Sequence, residues 1–265
     1  MISSGLLEDQ VEQYRQNGFL FPVQVLSPAE VESVTQSLQD VVQQCNIPLG
    51  RVPMLHEYFR WAYDLAAHPR ILDVVEKILG PDLIVWGTLV LSKEPGSRSM
   101  VPWHQDRAYA GFLAGSPSVS VWIALTPVTS QNGCLRVIRA SHGTLLPFSD
   151  EKSADDMLRR GQSIVAKVNE EDAVDIVLRP GEASLHDDTL IHGSNPNHSN
   201  GPRTGFIIRY ATAAITQPQV SVFCVRGNAG SIYCHEATPV GNVENCYSRF
   251  AEYARVQNGS KDSNG

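Results

Sequence analysis

The 265-residue sequence lacks a cluster of lysine and arginine, and its formal net charge is −7. A basic stripe is the usual electrostatic footprint of nucleic-acid binding, so we do not expect a nucleic-acid partner. The sequence has no run of about 18 apolar residues, so we do not expect a membrane-spanning helix. The opening stretch, MISSGLLEDQVEQ, has neither the basic nor the apolar region of a secretory signal. We therefore predict a cytoplasmic protein.

Cysteine pairs at metal-binding spacing are also missing. The five cysteines are an odd number, and none of them forms a C-x-x-C pattern. This usage indicates reduced, mostly buried thiols rather than a disulfide framework or a zinc site. The remaining composition, 42% hydrophobic and 18% charged residues, is typical of a soluble globular protein with a sizeable core.

The order of sequence patterns along the chain predicts the fold class. Apolar residues recur at helical spacing in four segments, which are 5–17, 28–44, 57–66 and 69–79. After Pro81 the chain changes to short β-rich segments separated by Gly, Pro and Asn turns, which are 83–92, 118–126, 134–140, 174–178, 183–187 and 205–213. Helices followed by many short strands predict an α+β domain whose strands form a sandwich or a barrel.

We expect a single domain over residues 1–253. It would comprise a helical part, a β-core and a C-terminal segment that could mediate contacts between copies, with bounds 1–82, 83–225 and 226–253. The polar, weakly periodic segment 149–172 is predicted to be a mobile insertion or lid. Residues 254–265 have the composition of a disordered tail. The oligomeric state cannot be predicted from these patterns.

Two stretches carry the candidate chemistry: VPWHQDRAYAGF, which contains His104 and Asp106, and IHGSNPNHSNGPR, which begins next to His192. On an extended strand, residues two positions apart point to the same face, so His104 and Asp106 can reach one metal ion. His192 can supply a third ligand from a distant part of the sequence. Two histidines and one carboxylate are the ligand set of non-haem Fe(II) oxygenases, so we predict an iron site.

Arg203 follows His192 by 11 residues, far enough for the chain to turn a corner and begin another strand. A guanidinium group there could hold a carboxylate through two parallel hydrogen bonds. His186 lies near the same predicted strands and is the alternative to His192 as a metal ligand. Because His186 lacks the following Gly-Ser and the spacing to the arginine, we favour His192.

These motifs together resemble the phytanoyl-CoA dioxygenase family of Fe(II)/2-oxoglutarate-dependent oxygenases. The resemblance covers roughly residues 8–225 and includes WHQD at 103–106, QNGCLRVIRASHGTLLPF at 131–148 and HGSNPNHSNGPR at 192–203. It implies a double-stranded β-helix core, also called a jelly roll or cupin-like core, with the N-terminal helices packed outside. It further implies Fe(II) as the metal, with 2-oxoglutarate and O2 as cosubstrates.

The resemblance implies three catalytic iron ligands, His104, Asp106 and His192. It also implies that Arg203 binds the distal carboxylate of 2-oxoglutarate and that Ser194 helps to hold this carboxylate. The carboxylate of Asp106 favours oxygenation, because a small residue replaces it in related halogenases.

Trp122 matches a tryptophan that lines the cosubstrate pocket in the family. Alternation along the predicted strand 118–126 gives one face that carries small side chains and one indole. The residues of this face are Ser118, Ser120, Trp122 and Ala124. The other face is aliphatic and suits packing against an outer layer. Plain core packing is the alternative role for Trp122.

Four residues are candidates for substrate contact. Arg209 shares a strand face with Arg203, so it could be the cosubstrate arginine, a clamp for an anionic substrate or a buried structural arginine. Arg107 and Tyr109 follow Asp106 and either face the substrate or belong to a simple loop. His56 lies in a region that often borders the family's pocket, where it is either a substrate contact or a surface-loop residue.

We predict an enzyme that hydroxylates an unactivated C–H bond of a small-molecule metabolite while 2-oxoglutarate is decarboxylated to succinate. The family resemblance favours a natural-product intermediate or a small polar compound as the substrate. Desaturation, epimerisation and cyclisation stay open as outcomes, because they diverge only after hydrogen abstraction. Two competing hypotheses are a cupin-type metal-binding protein without 2-oxoglutarate chemistry and a catalytically silent binding module. The intact ligand set with Arg203 argues against both.

Overall fold

The computed structural model describes residues 4–113, 115–151, 155–158, 161–213, 221–228 and 243–257. The helices within these ranges are α1 (Ser4–Asn17), α2 (Pro28–Cys45), α3 (Arg60–Ala66), α4 (Pro69–Leu79) and α5 (Val243–Gln257). None of them is both long and apolar enough to cross a membrane. The four helices predicted before Pro81 are confirmed, with small differences in their bounds.

Local sequence explains where α2 begins and ends. Ser27 and Glu30 form a capping box, in which the backbone N–H of Ser27 donates to the Glu30 carboxylate at 2.6 Å. Asn46 ends the helix in the left-handed conformation with a φ of 50°, which asparagine tolerates better than most residues.

The strands within the described ranges are β1 (Phe19–Gln24), β2 (Arg51–Pro53), β3 (Leu83–Lys93), β4 (Val101–His104), β5 (Ser118–Ala124), β6 (Leu135–Ile138), β7 (Phe148–Ser149), β8 (Ser163–Ile164), β9 (Ala173–Ile176), β10 (Glu182–Asp187), β11 (His192–Ser194), β12 (Arg203–Thr212) and β13 (Phe223–Arg226). A seven-stranded sheet has the order β1-β10-β5-β12-β3-β13, with β2 also pairing with β3. A four-stranded sheet has the order β4-β11-β6-β9.

The buried residues form two main layers of apolar packing. One layer lies between the helices and the outer face of the large sheet, and it includes Val119, Val121 and Ile123 of β5. The other lies between the two sheets and includes Trp122 of β5 and Val137 of β6. The predicted alternation of β5 is therefore confirmed: its aliphatic face packs under the helices, and its indole points into the space between the sheets.

The structure corrects two predicted boundaries. The helical part, 1–82, also contains two strands. The run FLFPVQVL at 19–26 predicts a strand, and β1 confirms it by pairing with β10. Strand β2, which pairs with β3, was not predicted. Helix α5 continues to Gln257, past the predicted start of a disordered tail at residue 254, and buries Phe250 and Ala254 in the core under the helices. The rest of the predicted tail, 258–265, lies outside the described residues.

The segment 149–172 includes part of a short antiparallel pair, β7 with β8, in which Ser149 faces Ser163. Its residues 152–154 and 159–160 lie outside the described ranges. Its role as a lid stays a prediction.

Candidate active site

His104 and His192 meet across neighbouring strands of the four-stranded sheet. His104 ends β4, His192 begins β11, and the two residues are direct partners in the antiparallel register. Asp106 does not lie on β4 as the spacing suggested, since it opens a short 3-10 turn that follows the strand. The turn brings its Oδ1 to 3.6 Å from Nε2 of His104 and 3.8 Å from Nε2 of His192.

The hydrogen bonds of the two imidazoles prepare both rings to bind a metal. Nδ1 of His104 donates to the backbone oxygen of Pro102, and Nδ1 of His192 donates to that of Leu190, each at 2.9 Å. A proton on Nδ1 leaves the Nε2 lone pair free for a metal. Burial lowers the pKa of His192 well below its usual range, and the charges of the neighbouring histidines lower it further. This histidine is therefore held neutral, which metal ligation requires.

The carboxylate of Asp106 is buried and held on several sides. The hydroxyl of Ser120 donates to Oδ2 at 2.6 Å, the hydroxyl of Tyr109 contacts Oδ1, and Nη2 of Arg209 lies 3.5 Å from Oδ1. Burial alone would raise the pKa of Asp106, but Arg209 and the neighbouring imidazoles outweigh it and hold this pKa well below its usual range. The group therefore stays an anion, as an iron ligand must.

His104, Asp106 and His192 each offer one ligand atom, and these atoms lie within 4.8 Å of one another. Within the described part of the chain they are the one group of this kind. Two imidazoles and one carboxylate, all buried, fit the donor set of a non-haem Fe(II) site with open coordination positions.

His186 lies close to this group. Its Nε2 is 3.7 Å from Oδ2 of Asp106, and its ring centre is 4.5 Å from that of His192. Neither ring nitrogen has a hydrogen-bond partner among the described residues. His186 does not belong to the group with ligand atoms within 4.8 Å, so the structure does not favour it as a third ligand over His192.

The three candidate ligands line a cleft, and a second cluster of residues in its lining is arranged to bind an anion. Arg203 is buried at the start of β12, its guanidinium lies 5.4 Å from the Trp122 ring centre, and its Nη2 is 3.5 Å from the Ser194 hydroxyl. Nε of Arg203 has no partner among the described residues. Gly205 leaves room for the indole, because a Cβ there would collide with the Trp122 ring.

Lys93 also belongs to this cluster, although no sequence motif marks it as a site residue. It is fully buried, pairs with Arg203 in the β3–β12 register, and donates to the Ser194 hydroxyl at 2.7 Å and to the Asn195 backbone oxygen. Burial, and secondly the charge of Arg203, lower the pKa of Lys93 to about 6. Among the described residues no aspartate or glutamate forms an ion pair with Arg203, so its guanidinium presents positive charge without a protein anion.

We expect Lys93 to make the stability of the metal-free protein depend on pH. Between about pH 6 and pH 10.5 the unfolded chain binds a proton at Lys93 that the folded chain releases. The free energy of unfolding therefore rises with pH in this window. We expect the difference in free energy of unfolding, wild type minus Lys93→Met, to increase by about 1–2.5 kcal/mol between about pH 7 and about pH 9. Urea unfolding at each pH measures this difference. Lys77→Met, which removes an exposed lysine of α4, is the control. An unchanged difference would show that folded Lys93 keeps its proton.

The other predicted substrate residues have different surroundings. Arg209 lines the cleft, and its Nη2 donates at 2.8 Å to the hydroxyl of Tyr109, which lies beside the cleft and is not among its lining residues. Arg107 instead forms an ion pair with buried Asp188, with Nε 2.7 Å from Oδ2, and donates to the Ser116 backbone oxygen. It is not among the residues that line the cleft, so the structure does not support the expectation that Arg107 faces the substrate.

His56 is not a surface-loop residue, so that expectation is wrong. Its side chain is fully buried, its Nδ1 lies 3.0 Å from the Thr88 hydroxyl, and its ring packs edge-on against Phe223. Burial lowers the pKa of His56 to about 3. It is not among the residues that line the cleft, and it contacts the sheet behind it.

Comparison with known sequences gives a family match over most of the chain. The family profile described as phytanoyl-CoA dioxygenase (PhyH) matches residues 14–205. The peroxisomal phytanoyl-CoA dioxygenase of Homo sapiens is 26% identical over 230 residues, covering 77% of this chain and 68% of that protein. The ectoine dioxygenase of Nocardia farcinica is 27% identical over 227 residues, covering 76% of each chain.

Comparison with solved structures identifies the fold. The apo form of the non-heme monooxygenase ThoJ is 31% identical and superimposes with a TM-score of 0.76, covering 94% of this chain and 100% of that chain. The predicted α+β fold with a jelly-roll core is therefore confirmed.

Proposed function

Because the chain belongs to the phytanoyl-CoA dioxygenase family, we propose that it hydroxylates an unactivated C–H bond of a small-molecule metabolite. It is an Fe(II)/2-oxoglutarate-dependent dioxygenase, which confirms the expected enzyme class and cofactors. Family membership argues against a cupin-type protein without 2-oxoglutarate chemistry and against a silent binding module. The substrate class is our proposal, supported by a relative named for ectoine. Hydroxylation as the outcome is supported by a similar structure named a monooxygenase.

We assign the iron to His104, Asp106 and His192. Iron with bound 2-oxoglutarate supplies O2 activation, coupled to decarboxylation of 2-oxoglutarate to succinate and CO2. Backbone carbonyl groups fix the tautomer of both imidazoles, and Ser120 fixes the orientation of the carboxylate. Because the three ligands are almost fully buried, the protein also keeps bulk water away from the metal.

Arg203 and Ser194 are proposed to hold the distal carboxylate of 2-oxoglutarate. The guanidinium of Arg203 is buried without a protein carboxylate, and Lys93 donates to the Ser194 hydroxyl. That hydroxyl can then donate its own proton to a ligand oxygen. Trp122 supports the flat face of Arg203 and so restricts the direction in which its donors point.

The main support for this assignment is that the proposed iron ligands and the anion-binding cluster around Arg203 share one cleft. Its lining includes the three proposed iron ligands together with Ser194, Trp122 and Arg203. A metal site and an anion site with a common opening suit a ligand that chelates the metal at one end and presents a carboxylate at the other.

Anaerobic addition of Fe(II) and 2-oxoglutarate tests this proposal. The wild type is expected to develop the weak visible charge-transfer band of the iron–2-oxoglutarate chelate, and then to form succinate when O2 and a substrate are supplied. Fe(II) with succinate in place of 2-oxoglutarate is the matched control, because succinate lacks the chelating keto group. Folded, iron-loaded protein without the band and without affinity for 2-oxoglutarate would contradict the proposal.

A further inference from the structure

A second cavity, here called the side chamber, opens beside the cleft. Its volume is about 270 Å³, and its lining includes Arg51, Met54, Trp86, Tyr109, Arg209 and Tyr253. Leu89 and Arg209 line both the side chamber and the cleft. A molecule in the side chamber therefore lies next to the proposed iron site, and its size suits a small metabolite.

Two arginines belong to the lining of the side chamber. Arg51 and Arg209 are both in its lining, whereas no aspartate or glutamate is found among the described residues that line it. Asp106 lies behind Arg209 and lines the cleft instead. Because the Asp106 carboxylate contacts Nη2 of Arg209 at 3.5 Å, the preference for an oxyanion depends on the donors of Arg209 that this contact leaves.

Arg209 is held in one orientation by aromatic rings. Its guanidinium lies 5.4 Å from the ring centre of Trp86 and 5.4 Å from that of Tyr109. Stacking of this kind restricts the planar group and lowers the entropy lost when it binds a ligand.

A purely structural role does not account for all the donors of Arg209. Its Nη2 serves both the Tyr109 hydroxyl and the Asp106 carboxylate, at 2.8 and 3.5 Å. Its Nε is buried and has no partner among the described residues. A guanidinium has five N–H donors, so balancing the charge of Asp106 leaves donor capacity for a ligand.

We propose that the side chamber binds the substrate and that Arg209 selects substrates carrying a carboxylate or another oxyanion beside an apolar or planar body. Trp86 and Met54 supply the apolar wall for that body. This inference rests on the proposed function, because it makes the side chamber the substrate compartment of the same iron site.

The test uses the anaerobic Fe(II) enzyme saturated with 2-oxoglutarate, so that Arg203 is already occupied. The probes are matched pairs, 3-phenylpropionate with 3-phenylpropanamide and benzoate with benzamide, and binding is measured by ligand-observed NMR. The carboxylates are expected to bind at least about tenfold more tightly than the amides, since an added charge-assisted hydrogen bond has this effect. Faster relaxation of the bound probe with Fe(II) than with Zn(II) would place it beside the metal.

Variants separate the side chamber from non-specific charge effects. Arg209→Gln should remove the preference for carboxylates, and Trp86→Leu should weaken both members of each pair. Arg60→Gln removes an arginine that is largely exposed on α3 and should preserve the preference. Equal binding of acids and amides by the wild type, no binding of either, or a preference that survives Arg209→Gln would overturn the inference. Absence of the charge-transfer band in the wild type would instead count against the proposed function.

Discussion

Replacing Asp106 with asparagine is expected to abolish both iron retention and 2-oxoglutarate turnover. Asparagine has nearly the same size and can still accept the hydrogen bond from Ser120, but it removes the one anionic ligand of the proposed site. Loss of a residue that merely orients a ligand costs about 10–100-fold in metal affinity, so loss of the ligand itself should cost more than about a hundredfold. Iron content after desalting and succinate formation measure the two effects.

A matched control for Asp106→Asn is Asp188→Asn. Asp188 is also a buried carboxylate, but it pairs with Arg107 and is not among the residues that line the cleft. Iron retention by this variant, with a cooperative thermal transition in both variants, would separate loss of the ligand from loss of folding. Turnover by Asp106→Asn within tenfold of the wild type would remove Asp106 from the ligand set.

The same assay decides between His186 and His192. His192→Gln should lose iron, while His186→Gln should keep it. The opposite pattern would mean that His186 is the third ligand.

Replacing Arg203 with methionine is expected to weaken 2-oxoglutarate binding at least about a hundredfold while iron binding persists. A bidentate pair between a guanidinium and a carboxylate contributes two charge-assisted hydrogen bonds, and their combined loss corresponds to this factor or more. Titration of the anaerobic Fe(II) protein with 2-oxoglutarate, followed by the charge-transfer band, gives the dissociation constant.

Arg209→Met is the informative companion to Arg203→Met, because either arginine could be the cosubstrate anchor on sequence grounds. Arg203 lies beside Ser194 and Lys93, whereas Arg209 contacts Tyr109 and Asp106. We therefore expect Arg209→Met to bind 2-oxoglutarate within about tenfold of the wild type. If Arg209→Met loses the cosubstrate and Arg203→Met retains it, the two assignments must be exchanged.

Strand periodicity predicted much of the fold and of the candidate site. Alternation on β5 placed Trp122 between the sheets and its aliphatic neighbours under the helices. Alternation on β12 placed both Arg203 and Arg209 at the cleft. These predictions succeeded because residues two positions apart on a regular strand share a face, whatever the rest of the chain does.

Residues whose position depends on pairing or on loop paths were not predictable in this way. Lys93 follows the predicted β-rich segment 83–92, but pairing of β3 with β12 extends the strand and buries Lys93 opposite Arg203. Arg107 and His56 lie outside strands, where composition does not indicate direction, and the structure places them against Asp188 and Thr88.

One strand, β12, carries the proposed cosubstrate anchor at position 203 and the proposed substrate selector at position 209. Six residues of strand span roughly 20 Å, and both side chains project from the same face. In this proposal the strand binds 2-oxoglutarate, which every turnover uses, at one end and selects the substrate at the other. A mutation at position 209 can change which charge is accepted without altering how the shared cosubstrate is gripped. One substitution at position 209 can therefore change the accepted charge, provided that it leaves the Asp106 carboxylate, 3.5 Å from Nη2 of Arg209, in place for the iron.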